Sequence, residues 1–251
     1  MVVVFSEFEE ETQTQTVSVQ QALPHEELLA QIRNKADYVY PFAVLDGVPV
    51  KRTASDLYAE KFNSDFFAVS KPAFLCADSL TPAERGTAVH KFLQYCSLDA
   101  DAPCAEEQAK EMVNRALLTQ READAIDFGK TAAFLHSETA RRAVGAQQLY
   151  REMQFSLAVP AAEFVPDLPD YAADERTVVI GKIDMVFVED GQAVIVDYKT
   201  DRVKDVNILT ERYASQIKMY ARAATQVLNV PVKEAVLYSI HLGQTVSVPL
   251  V

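Results

Sequence analysis

Asp184, Asp197 and Lys199 are the residues of this chain whose types and spacing best suit chemistry. All three fall in the run GKIDMVFVEDGQAVIVDYK, which starts at Gly181 and is otherwise largely apolar and β-branched. Charges are rarely placed in such a setting unless they are paired or bind a metal. Two carboxylates are hard oxygen donors suited to a Mg²⁺-like cation. An ammonium beside them could act on a water or on phosphate charge. The plain alternative is an Asp–Lys salt bridge at a strand end, and an isolated D-x-K does not decide between the two.

A set of this kind needs a stiff ribbon to hold it. Asp190-Gly191 is a hairpin signal, because both residues tolerate the positive φ of a two-residue turn. Before the turn, strict alternation places Val178, Ile180, Lys182, Asp184 and Val186 on one face. The same alternation places Val179, Ile183, Met185 and Phe187 on the other. After the turn, Ala193–Lys199 reads as a strand around Val194, Ile195 and Val196. Asp197 and Lys199 lie two residues apart on it and so share a face.

The frame around these residues is more specific than any one of them. Asp184 stands thirteen residues before Asp197 on the adjoining strand, and a long amphipathic helix follows directly. The pattern G-K-I-D followed by V-D-Y-K-T-D resembles the nuclease domain of the RecB/AddA family, helicase–nucleases that process double-strand DNA ends. In that resemblance Asp184 is the first acid of a PD-(D/E)xK core and Asp197-Tyr198-Lys199 the D-x-K. The stretch LTPAERGTAVHKFLQ is similar to the family helix that lends a histidine to the metal site, which marks His90. A half-buried structural histidine is the alternative there. Glu152, on the more polar face of a strand over Gln148–Ala158, matches the acid of the first core strand; a solvated surface glutamate is equally open. Gln216 and Tyr220, neighbours at i and i+4 on a helix over Val206–Leu228, match the remaining Q-x-x-x-Y.

The resemblance implies an α/β fold with a restriction-endonuclease-like core, a central mixed sheet flanked by helices, and a helical insert. It implies a Mg²⁺ or Mn²⁺ ion held by His90, Asp184, Asp197 and the Tyr198 carbonyl. Hydrolysis of DNA would rest on Asp184, Asp197 and Lys199, with Glu152 as a further acid. Gln216 and Tyr220 would support the site or contact DNA, where a tyrosine can stack on a base. The implied partners are single-stranded DNA, an N-terminal helicase motor in a longer parent protein and a second, AddB-like subunit, working in double-strand-break repair and recombination. A non-catalytic DNA-end-binding or scaffolding domain that keeps the nuclease fold is the alternative.

Along the chain, Glu7–Gln21 is acidic and lacks an apolar period, so residues 1–24 read as a linker or disordered segment, and residues 25–251 as the nuclease domain. A start of this kind suggests a fragment of something longer. Pro24–Tyr38 and Thr53–Phe62 read as short helices, with Thr53 or Ser55 capping the second. A helical portion over about 81–145 opens at Thr81-Pro82-Ala83-Glu84, a capping box with proline at the first helical position. It continues through Ala105–Leu118, Gln120–Phe128 and Lys130–Arg142 as packing, with no catalytic signature of its own. The sheet core is expected over about 147–251, closing with a hairpin around Gly243.

Bulk properties bound the rest. At 251 residues, 49% hydrophobic and 24% charged, the chain can bury a full core. It contains no apolar run near 18 residues, and a cytoplasmic location is expected. Cys76, Cys96 and Cys104 lack C-x-x-C spacing and read as reduced thiols, not as a zinc or iron–sulfur site. No G-x-x-x-x-G-K-[ST] occurs in these 251 residues, so they hold no P-loop motor. The net charge of −12 opposes nucleic-acid binding. From Lys199 to Arg222, however, six bases stand against three acids, and this stretch is expected to face DNA.

Overall fold

Side-chain caps set where most of the helices begin. The computed structural model of the protein describes residues 25–38, 40, 42–56, 80–165 and 167–250. The chain forms two units, residues 1–46 and 47–251. The first contains helix α1 (His25–Ala36), with acids in its first turn and bases in its last, the arrangement a helix dipole favours. The expected linker over residues 1–24 lies outside the described residues.

In the second unit, Thr81 and Glu84 form the expected capping box, and Pro82 opens α2 (Pro82–Tyr95). Helix α3 covers Ala105–Asn114, and Thr119 with Glu122 builds a second box at α4 (Gln120–Asp124). The single helix expected over Lys130–Arg142 is instead two, α5 (Phe128–Leu135) and α6 (Glu138–Val144). The cause is local: Asp127 caps the Lys130 amide and Ser137 caps the Ala140 amide, so each starts a new helix. Thr53 and Asp56 likewise exchange backbone–side-chain hydrogen bonds of 2.8 and 3.1 Å, which makes Thr53 the cap. The remainder of the helix expected there lies outside the described residues.

Six strands form one mixed sheet: β1 (Lys51–Thr53), β2 (Gln148–Pro160), β3 (Arg176–Glu189), β4 (Gln192–Lys199), β5 (Val232–Ser239) and β6 (Gln244–Ser247). Asp190 and Gly191 both take positive φ and join β3 to β4 as expected. β2 covers one edge of β3 along nearly its whole length, from Gln148↔Val188 to Pro160↔Arg176. The other edge is divided: β1 pairs in parallel with Val178–Ile180, and β4 pairs antiparallel with Met185–Glu189. Residues 181–184 fall in the gap between them. Gly181 is required at that point, because a Cβ there would lie 2.5 Å from the Phe155 ring.

Helix α7 (Asn207–Leu228) connects β4 to the parallel strand β5 and packs on one face of the sheet, with Leu209, Ile217, Tyr220 and Ala224 in that core. The helical insert packs on the other face, where Phe92, Leu93 and Phe134 meet Met185, Phe187, Val196 and Tyr198. The two faces correct one sequence expectation. Ile183 belongs to the α7-side core together with Val186, whereas Met185 and Phe187 belong to the insert-side core. Strict alternation therefore fails at Asp184. Opposite it, between the pairs Arg151↔Met185 and Met153↔Ile183, stands Glu152 with φ of +54°. The two strands change phase together there, and the register on either side is unshifted.

Candidate active site

Asp184 and Asp197 meet because of how β3 and β4 part. The last pair of that ladder is Met185↔Val196, so the same register makes Asp184 and Asp197 the next opposed residues. There the strands separate, and Asp184 Oδ2 accepts the Tyr198 amide at 2.8 Å in place of a ladder hydrogen bond. Its Oδ1 lies 3.1 Å from His90 Nδ1, which α2 delivers from the insert side. Arg151, next to Glu152, holds that helix in position: its guanidinium donates to the carbonyls of Leu93, Gln94 and Cys96 at the end of α2. A cation at a helix C-terminus is favourable. The sequence reading missed Arg151, whose only signal was a lone arginine on a half-buried strand.

Among the described residues, His90, Glu152 and Asp184 bring one ligand atom each within 4.8 Å of one another. Glu152 is thus no solvated surface residue; its side chain is 6% exposed and ion-paired with Lys182. Asp197 is not in that group of three. Its Oδ2 is turned to Lys199 Nζ at 2.7 Å. Lys199 Nζ also donates to Gln216 Oε1 at 3.0 Å and lies 4.0 Å from the centre of the Tyr213 ring. Gln216 Nε2 in turn donates to the Tyr220 hydroxyl at 3.0 Å and reaches Ser55 Oγ at 3.4 Å. Gln216 and Tyr220 are both buried, and the Tyr220 ring packs edge-on against Phe155. Stacking of Tyr220 on a base, one of the two roles expected for it, is therefore closed off by burial; support of Lys199 is what its position offers. Tyr198 has its side chain in the insert-side core.

Burial and pairing separate the two carboxyls electrostatically. Burial pushes Asp197 up to about 6, Lys199 working against the rise and Asp184 adding to it. Burial would raise Asp184 as well, but the His90 ring, Lys199 and the Tyr198 amide outweigh it and hold this carboxyl below its ordinary value. Desolvation acts to lower His90, yet its charge and hydrogen-bond contacts with Asp184 leave the imidazole above its ordinary value. Two opposed acids of unlike proton affinity are a common mark of a functional site.

A cleft of about 360 Å³ opens onto this cluster, lined by Gly86, Thr87, His90, Glu152, Lys182 and Thr200 among others. A larger cavity of about 1000 Å³ lies elsewhere, along α7 with Leu157, Phe164, Lys218 and Arg222, and holds none of the candidate residues. Chemistry, not volume, marks the site. The charge expectation is corrected here too. Of the six bases between Lys199 and Arg222, Lys218 and Arg222 line that other cavity, and Arg222 is paired with Glu163 at 2.6 Å.

A strand fork bearing two carboxylates and a lysine, with a helix-borne imidazole over it, defines a nuclease of the PD-(D/E)XK kind. The family model described as the PD-(D/E)XK nuclease superfamily matches residues 68–248, and the chain belongs to that superfamily. The particular relatives it matches are ATP-dependent helicase/nuclease subunits of the AddA type. The one from Clostridium acetobutylicum is 31% identical over 88% of this chain and 19% of its own length. That of Desulforamulus reducens is 31% identical over 96% of this chain and 21% of its own. That of Geobacillus thermodenitrificans is 35% identical over 68% and 14%. The chain thus spans about a fifth of the length of these relatives, or less. The family and the fold expected from the G-K-I-D and V-D-Y-K-T-D frame are those found.

Proposed function

We propose that this chain is a divalent-metal-dependent deoxyribonuclease acting on single-stranded DNA, the nuclease portion of a helicase–nuclease that processes double-strand breaks. The observation that carries the reading is the convergence of His90, Glu152, Asp184, Asp197 and Lys199 on one cleft floor from α2, β2, β3 and β4. The donor set fits a hard cation. Glu152 Oε2 and Asp197 Oδ2 are buried outside any hydrogen bond of ordinary geometry, each facing only a lysine ammonium. Buried carboxylate oxygens in that condition are costly unless a cation meets them.

His90, Asp184 and Asp197, with the Tyr198 carbonyl and with Glu152 as a further acid, would hold Mg²⁺ or Mn²⁺. Such an ion, when bound, lowers the pKa of water and offsets charge on the scissile phosphate. Lys199 supplies the remaining function. An ammonium has three N–H donors, and Asp197 and Gln216 orient two of them, with the Tyr213 ring flanking the head. A proton donor or charge partner fixed in this way is set to act on the water or the phosphate oxygen. Gln216 and Tyr220 act one step back, by holding Lys199. In the parent protein a helicase motor would feed the strand to the cleft, beside an AddB-like second subunit.

Calorimetric titration of the chain with Mn²⁺ tests the reading. Wild type should bind, Lys199→Met should bind nearly as well, and Asp184→Asn and Asp197→Ala should bind at least tenfold more weakly. Equal affinity in wild type and Asp184→Asn would remove the basis for the assignment.

A further inference from the structure

A second cavity, of about 700 Å³, lies next to the catalytic cleft and shares two residues with it, Gly86 of α2 and Thr200 after β4. Its walls carry Arg85 from α2, Lys130 from α5 and Arg202 from the segment after β4, all three exposed. The acids beside them already have partners. Asp127 caps the start of α5, and Asp201 accepts the Tyr213 hydroxyl at 3.1 Å and meets Arg212 at 3.5 Å. Lys130 Nζ approaches His241 Nδ1 at 3.2 Å, which draws that ammonium to the Ile240–His241 wall. In a chain of net charge −12, three cations gathered around one cavity form a local reversal of sign. The ridge between the two cavities is made of small residues: a Cβ on Gly86 would come within 2.9 Å of Thr200 Oγ1.

We infer that this groove is a strand-binding subsite. It holds the sugar-phosphate backbone of the nucleotides flanking the scissile phosphate on one side, while the strand crosses the low Gly86–Thr200 ridge into the catalytic cleft. The inference rests on the nuclease reading for which phosphate lies in the cleft, and it deepens that reading by assigning the flanking contacts to the helical insert. Single-stranded DNA is the occupant because successive phosphates on one strand are close-spaced anions that a row of separate cations can meet one by one. Arg85 and Arg202 can each grip a phosphate with a planar fork, and Lys130 acts as a point charge.

The test is fluorescence-anisotropy binding of a labelled single-stranded oligothymidylate by the full chain, with Ca²⁺ in place of Mg²⁺ and NaCl varied. Each of Arg85→Gln, Lys130→Gln and Arg202→Gln should weaken binding several-fold and reduce the slope of log affinity against log salt by about 1. Lys110→Gln removes an exposed charge that lines neither cavity, and it should leave the slope as in wild type. Arg202→Glu should weaken binding more than Arg202→Gln. Groove variants with the affinity and slope of wild type, or equal losses from Lys110→Gln, would overturn the subsite, and so would a wild-type chain that binds no oligonucleotide. A chain that binds through the groove but never cleaves or binds Mn²⁺ would keep the subsite and remove the catalytic reading.

Discussion

At the scale of single residues, the site works by giving chemically similar groups different surroundings. Asp184 and Asp197 are opposed across one strand pair, yet one is held ionised by His90 and a backbone amide while the other is buried against Lys199 alone. A pH dependence follows. Asp197 in the metal-free protein takes up a proton below about 6, so a cation that needs its carboxylate must displace that proton in acid. Mn²⁺ affinity should therefore fall by up to about tenfold per unit as pH drops below 6, read by calorimetry at pH 7 and pH 5. For stability the sign is opposite. The folded state holds this proton more tightly than the unfolded chain, so the contribution is present at low pH and lost as pH rises from about 4 to about 6. Melting temperatures of metal-free wild type across that window, compared with Asp197→Asn, check it. Lys199→Met should behave differently from either acid: Mn²⁺ affinity within a few-fold of wild type and cleavage lower by roughly 10²- to 10⁴-fold. A loss of both together would mean that Lys199 holds the site's shape and not its chemistry.

At the scale of elements, α2 must be clamped to β2 for His90 to reach Asp184, and Arg151 provides the clamp through three carbonyls at the helix end. Arg151→Ala should cost roughly 2–3 kcal/mol, from hydrogen bonds made by a charged group. It should also weaken Mn²⁺ binding through His90, even though Arg151 touches no candidate ligand. Thermal melts with and without Mn²⁺ separate the two effects. This clamp shows where sequence reading stops. Helix starts at Thr81 and Thr119 were legible because caps act within four residues, and the β3–β4 hairpin was legible because Asp190-Gly191 is a local turn signal. Asp184, Asp197 and Lys199 were legible because charges in a β-branched ribbon stand out. The phase change at Asp184 was not, since it arises from the +54° φ of Glu152 on another strand. The reach of Arg151 across 55 to 58 residues was hidden for the same reason. The division of Lys130–Arg142 at Ser137 could have been read, because a serine preceding an acid is a helix start.

At the scale of the whole molecule, charge and topology set what the chain can do by itself. A net charge of −12 opposes DNA everywhere except where cations cluster. The cations between Lys199 and Arg222 are dispersed, some to the cavity along α7, so the electrostatic footprint beside the cleft is short and strongly salt-dependent. With no P-loop in these residues, duplex ends should be poor substrates. The measurement that bears most directly on the central claim is cleavage of a single-stranded oligonucleotide by the purified chain at low salt, without ATP, in Mn²⁺ or in a chelator. The predicted result is slow cleavage that requires the metal, is unaffected by ATP, falls steeply with salt and disappears in Asp184→Asn. Contradiction would come from a chain inert in Mn²⁺ at low salt, or from cleavage that Asp184→Asn retains in full.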